Sequence, residues 1–465
     1  MSRRVLIETY GCQMNIADSE LIQGILQANG YLPANALENA EVVLLNTCAV
    51  REKAEERIYG RLANLVSFKK RRPGTVLGVI GCMAEHLAEE LTQRVPELDL
   101  VLGPDHYRDI VQLLEEAQRE NRVAIGFLPE NYGGLDAVSS GGVNGWLPVQ
   151  RGCNQFCTYC VVPLVRGRER CVPPDELERQ ARRLVEQGVR SVTLLGQTVN
   201  NYRYEGLDFA GLIDRLAELE GLERIRFTSP HPKFFSERLI RLFETQPKLC
   251  EHVHLPVQSG SDRVLAAMRR GHTAKDYVEL VAALRQARGG MAISTDLLVG
   301  FPGEDDEDFE ATCSLVRQTR FASAFSFAYS ERGGTHAAKH LPDEVPDHVK
   351  KARLEAVIKL QEDICAEVHR EQIGRTVEVL VEGTPRRSPE LFMGSASDNK
   401  AVLFPRDGLQ LGDLVEVEVS EASSHTLKGR VLRCISKARV QVAEQASDAF
   451  GVSQGPAVDA GSNGR

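Results

Sequence analysis

The 465-residue chain is long enough for about three domains of ordinary size. Its 42% hydrophobic and 26% charged residues are typical of a globular protein, and no run of about 18 apolar residues predicts a membrane span. The formal net charge of −9 argues against a general nucleic-acid binder, although basic patches occur at 69–72, at 166–170 and at Arg386-Arg387.

The chain's first residues and its cysteines predict a cytoplasmic protein. Glu8 follows the N-terminal arginines too soon for the apolar core of a secretory signal. In the cytoplasm thiols stay reduced, so the 11 cysteines of this chain indicate metal binding or catalysis rather than disulfides. We expect the isolated pair Arg386-Arg387 to be solvated surface.

Residues 1–135 are predicted to form a doubly wound parallel sheet. Apolar strands at 5–9, 41–45 and 75–80 alternate with helices, including a long charged one at 51–68. Asp18 or Ser19 is the expected N-cap of the first helix, which ends near Gly30.

Cys12, Cys48 and Cys82 each follow one of these strands. In an open α/β sheet, ligands bind outside the carboxyl ends of the strands, so topology brings three cysteines that are distant in sequence to one edge. The alternative is three unrelated loop cysteines. The repeated placement after three consecutive strands favours convergence.

A Gly- and Ser-rich stretch at 133–145 is the best linker candidate, and a second domain is predicted over 136–370. Six strands alternate with helices there, at 146–150, 191–196, 224–228, 252–257, 292–299 and 323–329. Six units are fewer than the eight of a closed barrel, so we expect an open, partial (β/α)6 barrel with its site at the carboxyl ends of the strands.

The character of the sequence changes after an amphipathic helix at 343–372. Residues 376–382 and 413–419 alternate valine with polar residues, which predicts a small all-β barrel over 371–437. The tail at 438–465 is rich in Ala, Ser, Gly and Gln and is predicted to be disordered.

The strongest chemical signal is a CxxxCxxC motif that contains Cys153, Cys157 and Cys160 and directly follows the first barrel strand. Three thiolates on one short loop can hold three corners of a cubane cluster and leave one iron open. A structural zinc site needs a fourth ligand, and Cys171 is the nearest cysteine that offers one. The open-iron interpretation is favoured.

This motif, placed after the first strand of a partial barrel, resembles the radical S-adenosylmethionine superfamily. The resemblance implies that Cys153, Cys157 and Cys160 bind a [4Fe-4S] cluster whose open iron chelates S-adenosylmethionine. One electron then cleaves the cofactor to methionine and a 5′-deoxyadenosyl radical, while the protein orients the cofactor and shields the radical. Tyr159 occupies the position of an aromatic residue that lies beside the cofactor's adenine.

Further motifs narrow the resemblance to the methylthiotransferases, over residues 1–436. They are 9–15 (TYGCQMN), 46–52 (NTCAVRE), 81–85 (GCMAE), 151–170, 195–200 (LGQTVN), 254–261 (HLPVQSGS) and 294–304 (STDLLVGFPGE). The resemblance implies that Cys12, Cys48 and Cys82 hold a second [4Fe-4S] cluster, the source or carrier of the inserted sulfur. The C-terminal barrel is similar to TRAM, an OB-like RNA-binding module.

The tripeptide Gln13-Met14-Asn15 resembles the branch that methylthiolates carbon 2 of N6-isopentenyl(dimethylallyl)adenosine at tRNA position 37. The implied partners are the tRNA anticodon stem-loop, an electron-donor protein and an iron–sulfur or sulfur-carrier supplier. Threonylcarbamoyl-adenosine tRNA and a ribosomal protein aspartate are alternative substrates of the same chemistry. A non-catalytic RNA-binding metalloprotein with a closed zinc site is the alternative of another class.

Polar and basic residues beside the barrel strands complete the predicted site. Gln197 and Asn200 follow the second barrel strand, where they can meet cofactor or substrate. Arg166, Arg168 and Arg170 follow the cysteine loop directly, so we expect them to contact phosphates of the anticodon stem-loop.

Overall fold

The computed structural model describes residues 3–49, 52–139, 141–385 and 388–440. The basic pair Arg386-Arg387 and residues 441–465 of the tail that was predicted to be disordered lie outside the described residues. Within the described part of the chain, no helix is long and apolar enough to cross a bilayer.

The N-terminal unit is a parallel sheet with helices on both faces. Its elements are β1 Arg4–Tyr10, α1 Gln13–Ala28, β2 Leu32–Pro33, β3 Val42–Thr47, α2 Glu52–Arg71, β4 Val76–Gly81, α3 Cys82–Arg94, β5 Leu100–Leu102, α4 Ile110–Glu116 and β6 Arg122–Ala124. The strand order is β2-β1-β3-β4-β5-β6. Because α1 and α4 pack on one face while α2 and α3 pack on the other, the sheet is doubly wound, as predicted.

Helix α1 begins earlier than the sequence analysis expected. Its N-cap is Cys12, whose backbone N–H donates to Asn15 Oδ1 at 3.3 Å, and neither Asp18 nor Ser19 caps it. Both residues lie inside the helix and are buried. The expected cap was wrong because the Asp18 carboxylate is used in ion pairs with the second domain instead.

The central unit follows from Asn144. Its elements are β7 Asn144–Pro148, β8 Gln150–Arg151, α5 Val162–Arg166, β9 Arg170–Cys171, α6 Pro174–Glu186, β10 Ser191–Leu195, β11 Arg203–Tyr204, β12 Leu207–Asp208, α7 Phe209–Ala217, β13 Arg224–Phe227, α8 Glu237–Thr245, β14 His252–His254, α9 Asp262–Ala267, α10 Ala274–Ala287, β15 Ala292–Val299, α11 Asp306–Thr319, β16 Ser323–Ala328, α12 His336–His340 and α13 Asp347–Arg370.

The strands of the central unit form two parallel three-stranded sheets, β7-β10-β13 and β14-β15-β16. A parallel bridge between Ile225 and Leu249 continues the first sheet towards the second. One hydrophobic core, shared by all six strands and their helices, fills the interior. These are the six strands that the sequence predicted, arranged as an open, partial barrel.

The C-terminal unit is a closed antiparallel-rich barrel. Its strands are β17 Thr376–Gly383, β18 Leu391–Ala396, β19 Ala401–Pro405, β20 Leu414–Ala422 and β21 Thr426–Ser436, closed in the order β17-β18-β19-β21-β20. Val379, Val381, Val415, Val417 and Val419 point into its core, which is the period-two pattern of the sequence.

Candidate active site

Cys12, Cys48 and Cys82 lie at the carboxyl edge of the N-terminal sheet. The last residues of β1, β3 and β4 are aligned, since Tyr10 pairs with Thr47 and Thr47 pairs with Gly81. Cys48 and Cys82 directly follow their strands, and the Cys48 N–H donates to the Tyr10 carbonyl at 3.0 Å. The parallel register therefore places the three cysteines side by side, next to the strand pair where the winding of the sheet reverses.

The three thiols differ in surroundings. Cys12 is exposed, Cys48 half-buried and Cys82 buried. A side-chain hydrogen bond with Cys48, aided by the charge of Arg166, lowers the pKa of Cys12 to about 6. Burial raises the pKa of the Cys82 thiol, and the positive charge of Arg166 opposes that effect. The positive charge of Arg166 therefore favours the thiolate form of Cys12 and Cys82 at this edge of the sheet.

Buried amides fix this edge from beneath. Asn15 Nδ2 donates to Asn46 Oδ1 at 3.0 Å, and Asn46 Nδ2 returns a hydrogen bond to the Asn15 carbonyl at 2.8 Å. Gly81 has φ +94°, and a Cβ there would lie 2.5 Å from Asn46 Oδ1. The chain can therefore turn sharply into α3 at Cys82 only with glycine before it.

Cys153, Cys157 and Cys160 occupy the loop between β8 and α5. Gly152, with φ +76°, lets the loop pass the Arg168 carbonyl, which a Cβ would approach to 2.1 Å. The Gln155 N–H donates to Cys153 Sγ at 3.4 Å, and the Cys160 N–H donates to the Cys157 carbonyl at 3.0 Å. These contacts fold the loop back on itself between Cys153 and Cys160.

Burial and neighbouring charges shift the pKa values of the thiols in this loop. Burial, then the charge of Cys157, raises the pKa of Cys160 to about 12. Burial also raises the pKa of Cys153, whose Sγ lies 3.2 Å from Thr198 Oγ1. Arg270, which the sequence analysis missed, donates from Nη1 to Cys157 Sγ at 3.5 Å. No spacing rule links Arg270 to the motif, because the contact spans 113 residues.

The residues predicted to bind cofactor have distinct surroundings. Tyr159 packs against an apolar group that includes Met268, Phe301 and Tyr329. Gln197 has a buried Oε1 without a hydrogen-bond partner among the described residues. The Asn200 amide is engaged at both ends by the His231 backbone, at 2.8 and 2.9 Å.

Asp18 connects the two cysteine groups, and the sequence analysis did not identify it as a site residue. Its carboxylate is fully buried and lies 2.8 Å from Nη1 of both Arg151 and Arg166. Arg151 precedes the cysteine loop and Arg166 follows it. Arg166 Nε also donates to Cys82 Sγ at 3.1 Å. A single buried ion-pair group therefore links the Cys82 edge of the N-terminal sheet to the two arginines that flank the cysteine loop.

The three arginines of the basic run at 166–170 lie in different environments. Arg166 is only 3% exposed, so the expected phosphate contact is wrong for this residue. Arg170 is occupied by a two-point ion pair with Asp105, at 2.6 and 2.8 Å. Arg168 is exposed and stacks on the exposed Phe156 ring, 4.4 Å from its centroid. Of the three arginines, Arg168 alone is exposed.

Cys171, the alternative fourth ligand, packs against the hydrophobic core of the partial barrel. Across the described ranges, no group of three or more Cys, His, Asp or Glu side chains has the geometry that would hold a single metal ion. The closed zinc site of the non-catalytic alternative therefore has no support in the described residues.

Sequence comparisons decide the family. The chain matches the Radical SAM superfamily over residues 147–316, Uncharacterized protein family UPF0004 over 4–103 and the TRAM domain over 370–432. It is 46% identical to a tRNA-2-methylthio-N(6)-dimethylallyladenosine synthase of Chloroherpeton thalassium, across 92% of this chain and 96% of that one. A synthase of the same name from Porphyromonas gingivalis is 44% identical, across 92% and 95%.

The chain belongs to the tRNA-2-methylthio-N(6)-dimethylallyladenosine synthase family. As a radical SAM member of that family, it is an enzyme that uses S-adenosylmethionine and [4Fe-4S] chemistry. The expected methylthiotransferase resemblance is confirmed.

Solved structures support the fold of this family member. A radical S-adenosylmethionine methyltransferase, TsrM from Kitasatospora setae, with cobalamin and a [4Fe-4S] cluster bound, superimposes with a TM-score of 0.54. The alignment has 15% identity and covers 70% of this chain and 72% of TsrM. The cobalamin-dependent radical enzyme OxsB gives a TM-score of 0.50 over 76% of this chain and 56% of its own. At such identities, the likeness concerns the fold alone.

The residues present in this synthase-family chain fit two iron–sulfur clusters. The sheet edge and the cysteine loop each offer three thiols, which are the donors that these clusters take. At each of the two places, an arginine donates to a cysteine sulfur. Arg166 Nη2 is buried without a hydrogen-bond partner among the described residues, which suits an anionic group beside Cys82.

Proposed function

We propose that this enzyme methylthiolates carbon 2 of N6-isopentenyl(dimethylallyl)adenosine at position 37 of tRNA. The observation that carries the proposal is the buried group of Asp18, Arg151 and Arg166, which links Cys82 on one predicted domain to the residues flanking the cysteine loop on the other. A carbon that is activated in one place must be within reach of the sulfur that it receives, and this link between the two cysteine-bearing regions suits that requirement.

We propose Cys153, Cys157 and Cys160 as ligands of the radical-generating cluster, and Cys12, Cys48 and Cys82 as ligands of the auxiliary cluster. When bound, the first supplies the electron that cleaves S-adenosylmethionine, and the second supplies or carries sulfur. Three protein thiolates at each site leave one iron open for a non-protein ligand.

The chain's own side chains hold the cysteine ligands in place and contact the cofactor. Gly152 and Thr198 fix the position of Cys153, and Arg270 holds positive charge against Cys157. Tyr159, within that loop, packs against apolar side chains, which suits an aromatic contact with adenine. Gln197 offers a buried oxygen that has no hydrogen-bond partner among the described residues, and we propose it as a cofactor contact. Asn200 acts by holding the His231 backbone.

The RNA partner is the anticodon stem-loop. Unpaired loop bases stack on aromatic rings and on guanidinium planes, and Arg168 over Phe156 offers both beside Cys157. The TRAM barrel supplies further RNA contact. An electron-donor protein and an iron–sulfur or sulfur-carrier supplier complete the proposed partners, all in the cytoplasm. The proposed domain limits are 1–135, 136–370 and 371–437.

Mass spectrometry of nucleosides tests this function. Anaerobically reconstituted protein is incubated with S-adenosylmethionine, reductant, sulfide and tRNA that carries isopentenyl-adenosine. The expected product is the methylthio-isopentenyl nucleoside, and Cys157→Ala abolishes it. Release of 5′-deoxyadenosine without a modified nucleoside would refute this substrate and direct attention to threonylcarbamoyl-adenosine tRNA and the ribosomal protein.

A further inference from the structure

Arg166 belongs to the central unit, and its guanidinium contacts the cysteine-bearing edge of the N-terminal sheet. It ends α5, behind the radical-SAM cysteine loop, and its Nε donates to Cys82 Sγ of the N-terminal sheet at 3.1 Å. Its guanidinium is almost fully buried. A cation in this setting acts on its neighbours with little screening by water or salt.

Around Arg166, the ion pairs of the described residues join more guanidiniums than carboxylates. Two buried guanidiniums, of Arg151 and Arg166, face one buried carboxylate, that of Asp18. Tyr107 reaches the same carboxylate with its hydroxyl at 3.5 Å, and adds no charge. A buried excess of positive charge is costly unless an anion joins it. Arg166 Nε lies 3.1 Å from Cys82 Sγ, so an anionic group held at Cys82 would be next to the excess charge.

Hydrogen-bonding capacity is also left over. Arg166 Nη2 is buried without a hydrogen-bond partner in the described part of the chain, and Nη1 meets Asp18 only as an ion pair. Buried N–H groups normally find acceptors. The unpartnered N–H group and the excess positive charge both suit an anionic group beside Arg166, and the hydrogen bond to Cys82 Sγ places that cysteine next to it.

We propose that Arg166 is a positioning residue of the auxiliary cluster: it donates to the Cys82 sulfur and raises the cluster's reduction potential, within limits set by the Asp18 carboxylate. This inference rests on the proposed function, since it takes Cys82 as a cluster ligand. Hydrogen bonds to the sulfurs and nearby positive charge favour the reduced, more negative state of a cluster. Asp18 holds Arg166 in place and offsets part of its charge.

The two residues should then have opposite effects on the potential. Arg166→Gln removes the cation and lowers the midpoint potential, whereas Asp18→Asn removes the offsetting anion and raises it. Loss of packing alone would move both variants in the same direction. Arg166→Lys keeps the charge but loses the planar donor group, so its midpoint should lie between those of wild type and Arg166→Gln.

The experiment is a dithionite titration of the full-length chain, followed by electron paramagnetic resonance. Cys153, Cys157 and Cys160 are replaced by alanine in every sample, so that the auxiliary cluster alone is observed. At the reference midpoint, Arg166→Gln should show at least a tenfold lower ratio of reduced to oxidised cluster, a shift of 59 mV for a one-electron couple. Iron content and unfolding midpoint are recorded for each variant.

Arg241→Gln, a change of the same kind on the exposed side of α8, is the control and should leave the midpoint unchanged. An unchanged midpoint in Arg166→Gln, or shifts of the same sign in Arg166→Gln and Asp18→Asn, would overturn the inference. If Arg166→Gln loses its iron, the rise expected for Asp18→Asn decides. Wild-type methylthiolation is assayed separately, so a failure of the proposed function is distinguishable from a failure of this inference.

Discussion

Arg168 and Arg166 are two residues apart and carry the same charge, yet only Arg168 faces outward. We expect Arg168→Ala to weaken binding of the anticodon stem-loop several-fold and to reduce the slope of log K against log salt by about 1, the effect of one phosphate contact. Fluorescence anisotropy over a salt series measures both. Arg182→Ala, which removes another exposed arginine, should change neither; equal losses in the two variants would contradict a specific contact.

His231 makes stability depend on pH. Burial, then the charges of Arg270 and His272, lowers the pKa of His231 to about 2. The unfolded chain, with a pKa near 6.5, binds protons that the folded chain rejects, so stability is lost as pH falls below about 6.5. We expect His231→Gln to remove about 1 kcal/mol of the decrease in unfolding free energy between pH 7 and 5.5. Urea unfolding at both pH values measures it, with the exposed His425→Gln as the control; an unaltered decrease in His231→Gln would contradict the assignment.

At the scale of elements, the cysteine loop depends on its close approach to the start of β9. Gly152→Ala places a Cβ against the Arg168 carbonyl, whereas Gly206→Ala, also at positive φ, has no atom within 4 Å of the new Cβ. Both should pay about 1–2 kcal/mol for the backbone conformation. Gly152→Ala alone should add a steric cost of about 1–3 kcal/mol and lose iron from the radical-SAM site. Iron analysis and urea unfolding of the two variants separate the steric cost from the backbone cost. Equal effects of Gly152→Ala and Gly206→Ala would contradict the close contact.

The elements that carry the site were predictable because their signals are local. Buried apolar runs gave β3 and β4, and parallel topology then brought Cys12, Cys48 and Cys82 to one edge. The start of α1 was wrong by several residues, since Asn15 supplies the capping contact and polar Asp18 lies inside the helix. In sequence, Asp18 resembles a helix N-cap because its ion-pair partners, Arg151 and Arg166, are far along the chain.

At the scale of the whole molecule, the sequence did not predict how the units pack against one another. The contact of Arg166 with Cys82 spans 84 residues, and no periodicity or spacing encodes it. For the same reason Arg166 and Arg168 were indistinguishable in sequence, although one is a buried link between domains and the other a surface cation. The cysteine ligands, by contrast, remain predictions of motif and topology that metal analysis must test.

The C-terminal barrel docks on the amino ends of the central strands, away from the cysteine loop. Arg224, the first residue of β13, donates to the Ser395 and Glu378 carbonyls of the barrel at 2.5 and 2.9 Å. Val143, just before β7, packs into the barrel core. A strand such as β10, with five residues, spans roughly 17 Å, so an RNA that contacts both barrel and cysteine loop must bridge at least that distance.

Arg224→Met therefore tests whether the barrel acts as a fixed RNA-holding arm. The variant removes the buried donors and leaves barrel carbonyls without them, which should loosen the barrel while the cysteine loops stay intact. We expect KM for the stem-loop to rise about tenfold, with kcat and RNA-independent 5′-deoxyadenosine release nearly unchanged, because only the entropic advantage of a fixed second contact is lost. Arg238→Met, which breaks exposed ion pairs on α8, should leave KM as it is. A fall in kcat without a change in KM would place the barrel's role in chemistry rather than in holding the RNA.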